Sequence, residues 1–192
     1  MEKDFVRIRG KKFNQWIPSD MIQKRVATVA GYITDYFKAV QSDPIFLIVA
    51  NGAMMFGIDL IRKIDLTCEV HCVRMSSYQG GMQSTGEVKE VMGIDCDVRG
   101  RDVVIVEDII DSGLTMHNLV TKLQEMGARV KICALLYKPD ACKYTDAAPY
   151  WSAYDITNSF VVGYGMDYQE LGRNLESIYV EESQEKDAKI LW

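Results

Sequence analysis

A chain of 192 residues with 48% hydrophobic and 26% charged side chains has the make-up of one well-buried globular domain, not of a disordered or fibrous protein. Its formal net charge of −5 argues against a general nucleic-acid binder, although a few backbone amides can still hold a phosphate inside an acidic protein. Residues 1–9 alternate charged and apolar side chains without a signal-peptide core, and no apolar run approaches the ~20 residues of a membrane helix.

Pro18 and Ser19 open a helix with Ser19 as its N-cap, and Ile22, Val26, Val29, Ala30, Ile33 and Phe37 then recur at helical spacing. Ser42-Asp43-Pro44 breaks that pattern. Residues 45–50 form a continuous apolar run rich in branched side chains, which predicts a strand buried on both faces. Asn51-Gly52 turns the chain, and residues 54–64 read as a second helix. Residues 67–73 alternate, Cys68, Val70 and Cys72 against Thr67, Glu69 and His71, and predict a strand. Cys68, His71 and Cys72 read there as core packing on a strand; the alternative, a metal site, is disfavoured because the spacing matches no zinc pattern and the second histidine is remote. The five cysteines include no CxxC pair, so reduced thiols in a cytoplasmic protein are expected.

The polar, glycine-rich residues 76–86 have little to bury, and a loop of that length is functional or mobile. Residues 87–94 return to a strand pattern. Residues 102–106 predict another buried strand. A helix over 115–126 places Met116, Leu119, Val120, Leu123 and Met126 on one stripe and stops at Gly127. Residues 129–137, 159–165 and 177–181 read as later strands, and the charged tail 182–192 as frayed. Strands and helices alternating at these lengths predict an α/β fold, a mainly parallel central sheet flanked by helices, over a single domain. The 67–94 hairpin is expected to stand above that sheet as a flap.

Val103 to Thr115 is the segment richest in chemistry. Ligands of open α/β sheets sit beyond the carboxyl ends of the strands, and this stretch lies between a buried strand and the start of a helix. Glu107 and Asp108, adjacent at the strand end, suit the hydroxyls of a sugar or a divalent cation. Ser112, Gly113 and Thr115 follow at a helix N-terminus, where free N–H groups and the positive dipole end favour phosphate. Acids on one side and an amide cradle on the other would hold a sugar phosphate by its diol and its phosphate together. Helix capping and a solvated strand end could explain each half separately; together the two explanations are strained. There is no GxxxxGK[ST] loop for triphosphate hydrolysis.

Glu107-Asp108-Ile109-Ile110-Asp111-Ser112-Gly113-Leu114-Thr115 after a hydrophobic strand resembles the motif with which type I phosphoribosyltransferases bind phosphoribosyl pyrophosphate (PRPP). Ser77-Tyr78, Ser84-Thr85-Gly86, Lys138, and residues 160–168 followed by Arg173 extend the resemblance, in the correct order, to the hypoxanthine-guanine phosphoribosyltransferase family. The match runs from about residue 18 to residue 180. It implies the type I phosphoribosyltransferase fold with a flexible hairpin lid, and transfer of the phosphoribosyl group to a 6-oxopurine such as hypoxanthine, guanine or xanthine. It also implies a magnesium (Mg2+) cofactor, no nucleic-acid or membrane partner, and a homo-oligomer, dimer or tetramer.

By the same resemblance Asp111 is the acid/base near purine N7, and residues 107–115 bind PRPP. Lys138 donates to the exocyclic O6, Phe160 stacks on the base, and the carbonyls of Val161 and Asp167 accept from N1 and the 2-amino group. Glu107, Asp108 and Asp167 serve the metal. Asn51, Gly52 and Arg173 face pyrophosphate, with Ser77 and Tyr78 at the lid tip. The chain departs from a common pattern at Asn51 and Leu114, where many or some relatives carry Lys. Two alternatives stay open at this level: a PRPP-sensing regulatory protein of the same fold, and an enzyme acting on another base. A cation at Lys138 favours an acceptor at purine C6 over the amino group of adenine.

Overall fold

The computed structural model describes residues 4–77 and 88–191, with the backbone alone at 76–77 and 88–92. The loop expected as a lid, with Tyr78 in it, lies almost wholly outside the described residues.

The apolar runs form the middle of a seven-stranded sheet. Strands β3 (Ile45–Ala50), β6 (Asp102–Ile110), β7 (Arg129–Tyr137) and β8 (Trp151–Ile156) lie parallel, as does β4 (Glu69–Ser77) on the other side of β3. Antiparallel strands finish both edges, β5 (Val88–Met92) against β4 and β11 (Ile190–Leu191) against β8. Alternation along each central strand divides the side chains between two apolar layers. Phe46, Ile48, Val104 and Val106 face α1 (Ser19–Val40) and α2 (Met54–Ile61). Ile45, Leu47, Val103 and Ile105 face α3 (Leu114–Glu125). Fully burying one such branched side chain contributes about 1.5–3 kcal/mol, so the central strands hold their register against slippage.

A second sheet of four antiparallel strands has the order β1 (Phe5–Ile8), β2 (Lys11–Ile17), β10 (Ile178–Glu181) and β9 (Val161–Val162). Ile17, Val161, Ile178 and Val180 join the apolar layer of α1, while Val6, Ile8, Phe13, Val162 and Tyr179 form a separate small core. None of the described helices is long and apolar enough to cross a membrane.

Several expectations need correction. Ser19 is the first helical residue, not the cap: Pro18 is the N-cap, and the Ser19 N–H is met by the Ser177 hydroxyl at 3.1 Å. The first stem of the 69–92 hairpin is a strand of the main sheet rather than part of a flap above it, since β4 pairs with β3 from Glu69 to Arg74 and with β5 beyond. Cys68 packs against the apolar layer of α1, but Cys72 is exposed and His71 partly exposed, so core packing holds for Cys68 alone of that trio; all five cysteines are free. The strand predicted over 159–165 shortens to Val161–Val162, because positive φ at Gly163, Tyr164 and Gly165 turns the chain away. The tail is not frayed. Ala188 and Ile190 pack on the core, and Thr157 and Lys189 exchange hydrogen bonds at 3.0 and 2.9 Å.

Candidate active site

β6 does not stop at Val106. β3 stays paired with it only to Val106, whereas β7 accompanies it to Ile110, so the last turn of sheet forms a lip supported on one side. Glu107 and Asp108 sit side by side on that lip. Glu107 is buried, and its Oε2 has no hydrogen-bond partner among the described residues. Burial first, then the Asp108 charge and a hydrogen bond with Asp108, hold its carboxyl well above the usual carboxylate range.

Asp108 Oδ1 accepts the Ile109 N–H at 2.9 Å, and its other oxygen lies against bare backbone. A Cβ on Gly52 would fall 1.8 Å from Asp108 Oδ2. Gly52 belongs to the turn between β3 and α2, entered through a cis Ala50–Asn51 peptide. A Cβ on Gly165 would in turn lie 2.0 Å from the Gly52 carbonyl oxygen. Three segments far apart in sequence therefore meet at one glycine. Asn51, beside it, is exposed.

Residues 109–116 and Glu107 line a pocket of about 120 Å³ at the start of α3. Gly113, with φ 81°, is the α3 N-cap, and no side chain caps the helix. The Ser112 hydroxyl is 3.5 Å from the Leu114 N–H, at the limit of a hydrogen bond, so the capping explanation for Ser112 is weak. The pocket is braced from beneath. Lys143 N–H donates to the Ser112 carbonyl at 3.0 Å, and a Cβ on Gly113 would meet Cys142 Sγ at 2.8 Å. Nothing in the sequence signals this bracing loop.

Lys138, at the end of β7, is only 5% exposed and is not the solvated strand end its position allows. Its Nζ donates to Asp111 Oδ2 at 2.6 Å, while Asp111 itself is exposed at the rim of the cradle. The pair presents a donor and an acceptor side by side.

The 160–173 segment supplies the opposite wall. Phe160 is 38% exposed, with ring centroids 6.2 Å from Phe13 and 5.8 Å from Tyr168, so one side of the ring is not consumed by packing. Its N–H donates to Gln184 Oε1 at 2.6 Å, a contact made by the tail. Val161 is buried in β9 opposite Val180. Asp167 accepts Arg173 Nη2 at 2.5 Å and the Glu170 N–H at 2.8 Å. Arg173 Nη1 also donates to the Gly165 carbonyl at 2.9 Å, fixing the turn that touches Gly52. Behind it, the Tyr164 hydroxyl donates to Asp59 Oδ2 at 2.7 Å, and Gln23 also donates to that carboxylate. Burial, then the Asp59 hydrogen bond and charge, push the Tyr164 phenol far up. Asp59 and Gln23 went unrecognised in the sequence, where they carry no motif, and Tyr164, although inside the 160–168 segment, was given no role there. Of the lid residues, Ser77 ends β4 and Tyr78 lies outside the described residues.

Carboxylates on a strand lip facing a glycine-capped helix start, at the carboxyl end of a parallel sheet, mark a nucleotide- or sugar-phosphate-handling α/β protein. A family model described as the phosphoribosyl transferase domain matches residues 19–169. The fold is that of the type I phosphoribosyltransferases. The hypoxanthine-guanine phosphoribosyltransferase of Lactococcus lactis is 44% identical over 138 residues, covering 72% of this chain and 75% of that protein. The Bacillus subtilis enzyme of the same name is 39% identical over 165 residues, covering 85% and 90%. A hypoxanthine-guanine phosphoribosyltransferase structure from Bacillus anthracis superposes with a TM-score of 0.80 at 34% identity, over 87% of this chain and 97% of that one. The chain belongs to the hypoxanthine-guanine phosphoribosyltransferase family.

Proposed function

We propose that the chain transfers the 5-phosphoribosyl group of PRPP to N9 of a 6-oxopurine, giving the nucleoside 5′-monophosphate and pyrophosphate in purine salvage. The observation that carries the choice of base is the Lys138–Asp111 pair at 2.6 Å. A 6-oxopurine offers an acceptor, O6, beside a donor, N7–H, and the ammonium and carboxylate complement that edge. Adenine offers a donor at C6 and would face the Lys138 ammonium with another N–H.

Each wall then has a task. The first amides of α3 and residues 111–115 hold the 5′-phosphate, with the helix dipole adding to the attraction. Glu107 and Asp108 take the ribose diol. As N9 attacks C1, the bond to pyrophosphate breaks and the base loses its N7 proton. Asp111, at the rim, accepts that proton. Lys138 holds O6 and keeps the Asp111 carboxylate oriented. Phe160 covers one face of the base, and the Val161 and Asp167 carbonyls meet its N1 and 2-amino edge. Gly52, Asn51 and Arg173 face the departing pyrophosphate, and Ser77 and Tyr78 close over it to exclude water.

The donor set suits magnesium, which takes few carboxylates and completes its shell with waters and substrate oxygens. Among the described residues Glu107 keeps an unpartnered buried oxygen, and Asp108 and Asp167 are partly exposed carboxylates of the lip and of the opposite wall. These residues would hold the ion, which when bound neutralises pyrophosphate charge. Self-association fits the exposed Met54, Met55 and Ile58 on one face of α2.

The test is pyrophosphate release with hypoxanthine, guanine, xanthine, adenine and uracil, each with PRPP and magnesium. Turnover of the three oxopurines alone is the expected pattern, and equal use of adenine would overturn the role of Lys138. Asp111→Asn should lower kcat about 10²–10⁴-fold while PRPP affinity, read by calorimetry, stays within a few-fold. Undiminished kcat would remove Asp111 from the mechanism.

A further inference from the structure

Away from the reaction, the outer strands of the main sheet bring together side chains of a different chemistry. Glu69, His71 and Val73 share one face of β4. Val73 is buried in the apolar layer under α3, and Cys96, in the connection after β5, packs partly against the same layer. The ligand atoms of His71, Asp95 and Cys96 all lie within 4.8 Å of one another. His71 Nδ1 is 2.9 Å from Asp95 Oδ1, while Nε2 faces Glu69 Oε2 at 3.7 Å. Glu69 is itself held by Arg101 at 2.8 Å.

We propose that His71, Asp95 and Cys96 form a site for a thiophilic divalent cation of the zinc class, with Glu69 as the positioning residue for the histidine. The nitrogen, oxygen and sulfur set is that of zinc, whereas magnesium prefers oxygen alone. Bonds of about 2.0–2.3 Å place tetrahedral ligand atoms roughly 3.3–3.8 Å apart, so side-chain rotations of about 1 Å complete the site. Water takes the fourth position. The metal binds on the Nδ1 side, and Glu69 accepts Nε2–H, which fixes the ring and its tautomer. Arg101 neutralises Glu69 and keeps it out of the first coordination sphere. The Cys96 proton leaves to solvent as the thiolate binds.

The position makes the site a clip and not part of the reaction. His71 lies opposite Leu47, three residues before the Ala50–Arg74 pair where β3 ends, about 10 Å along the strand. A cation there ties the connection between β5 and β6 to β4 at the sheet's edge.

The chelator-stripped, reduced protein, titrated with cobalt(II) as the probe, should show a near-ultraviolet thiolate-to-cobalt band that saturates at one metal per chain and is displaced by zinc. Cobalt at the carboxylates of the active site gives no thiolate band, so the two sites are distinguishable. Cys96→Ser should abolish the band, and Cys68→Ser, Cys72→Ser and Cys142→Ser should keep it. Glu69→Gln should weaken zinc about tenfold without changing the band's shape. Asp95 is exposed, so Asp95→Asn keeps the fold even where Cys96→Ser does not, and it too should weaken zinc at least tenfold. No thiolate band, or one that survives Cys96→Ser, overturns the proposal; a His71 merely hydrogen-bonded to Asp95 gives no band.

Discussion

Glu107 is buried against a second carboxylate, and the consequence is a pH dependence whose sign can be worked out. Burial, and after it the charge and hydrogen bond of Asp108, raise its carboxyl well above 4.5, so the folded chain retains a proton that the unfolded chain has released. From pH 4.5 upward the native state binds more protons, and stability falls as pH rises through that window. Below 4.5 both states are protonated and the effect vanishes. Glu107→Gln should therefore melt higher than the parent at pH 7.5, with the gap closing toward pH 4, while its affinity for PRPP drops. A gap of equal size at both pH values, read by calorimetry, would show that ionisation is not the cause. Lys138 poses the complementary case, a buried cation with one anionic partner. A hydrogen bond to a charged group is worth about 1.5–3 kcal/mol, so Lys138→Met should lower kcat/KM for hypoxanthine roughly 10- to 100-fold. Residual adenine turnover should change far less, since no favourable contact to its amino group is lost. Parallel loss for both bases would mean that Lys138 supports the pocket without reading C6.

Among the elements, the turn at 163–166 carries more than its two-residue strand suggests. Gly165 has φ 103° and its Cα faces the Gly52 carbonyl, so Gly165→Ala combines backbone strain with a contact at 2.0 Å. Strain at such an angle costs about 1–3 kcal/mol, and the clash adds to it, which predicts a Tm lower by about 5 °C or more and a weakened grip on PRPP. Gly10, at φ 81° with open space around it, is the control: Gly10→Ala should lose less and leave PRPP binding intact. Equal losses in both variants would mean that strain alone acts and that the approach to Gly52 is relaxed elsewhere. The same turn explains what the sequence could disclose. α1 and α3 were legible because burial imposes a helical period on their side chains, β3, β6 and β7 because burial on both faces leaves apolar runs, and the cradle was legible because residues 107–115 are contiguous. The meeting of Gly52, Asp108 and Gly165 was not, because two turns and a strand end make it by approaching in space. Strands β1, β2 and β8 escaped for a related reason: their short, mixed patterns are decided by pairing with neighbours, as in Trp151–Ile156 against β7.

For the molecule as a whole, the tail joins the two sheets. Gln184 holds the Phe160 N–H of the smaller sheet, and six residues later Ile190 pairs with Ile156 on the edge of the larger one. Without β11, the backbone of β8 would be an open edge, a template on which a second chain can pair. Cutting after Glu185 keeps the Gln184 contact and removes Ile190 and the Ala188 packing on the core. Losing that apolar burial costs about 1–3 kcal/mol, equivalent for a chain of this size to a Tm lower by about 3–10 °C. Light scattering should show the truncated protein self-associating more strongly as its concentration rises. Its kcat with hypoxanthine should stay close to the parent's at low concentration, because the Phe160 wall and the cradle remain in place. A truncated chain with unchanged Tm and unchanged mass would show that β11 only decorates an edge already protected by its own twist. One that lost kcat without losing Tm would instead place the end of the tail in the purine wall.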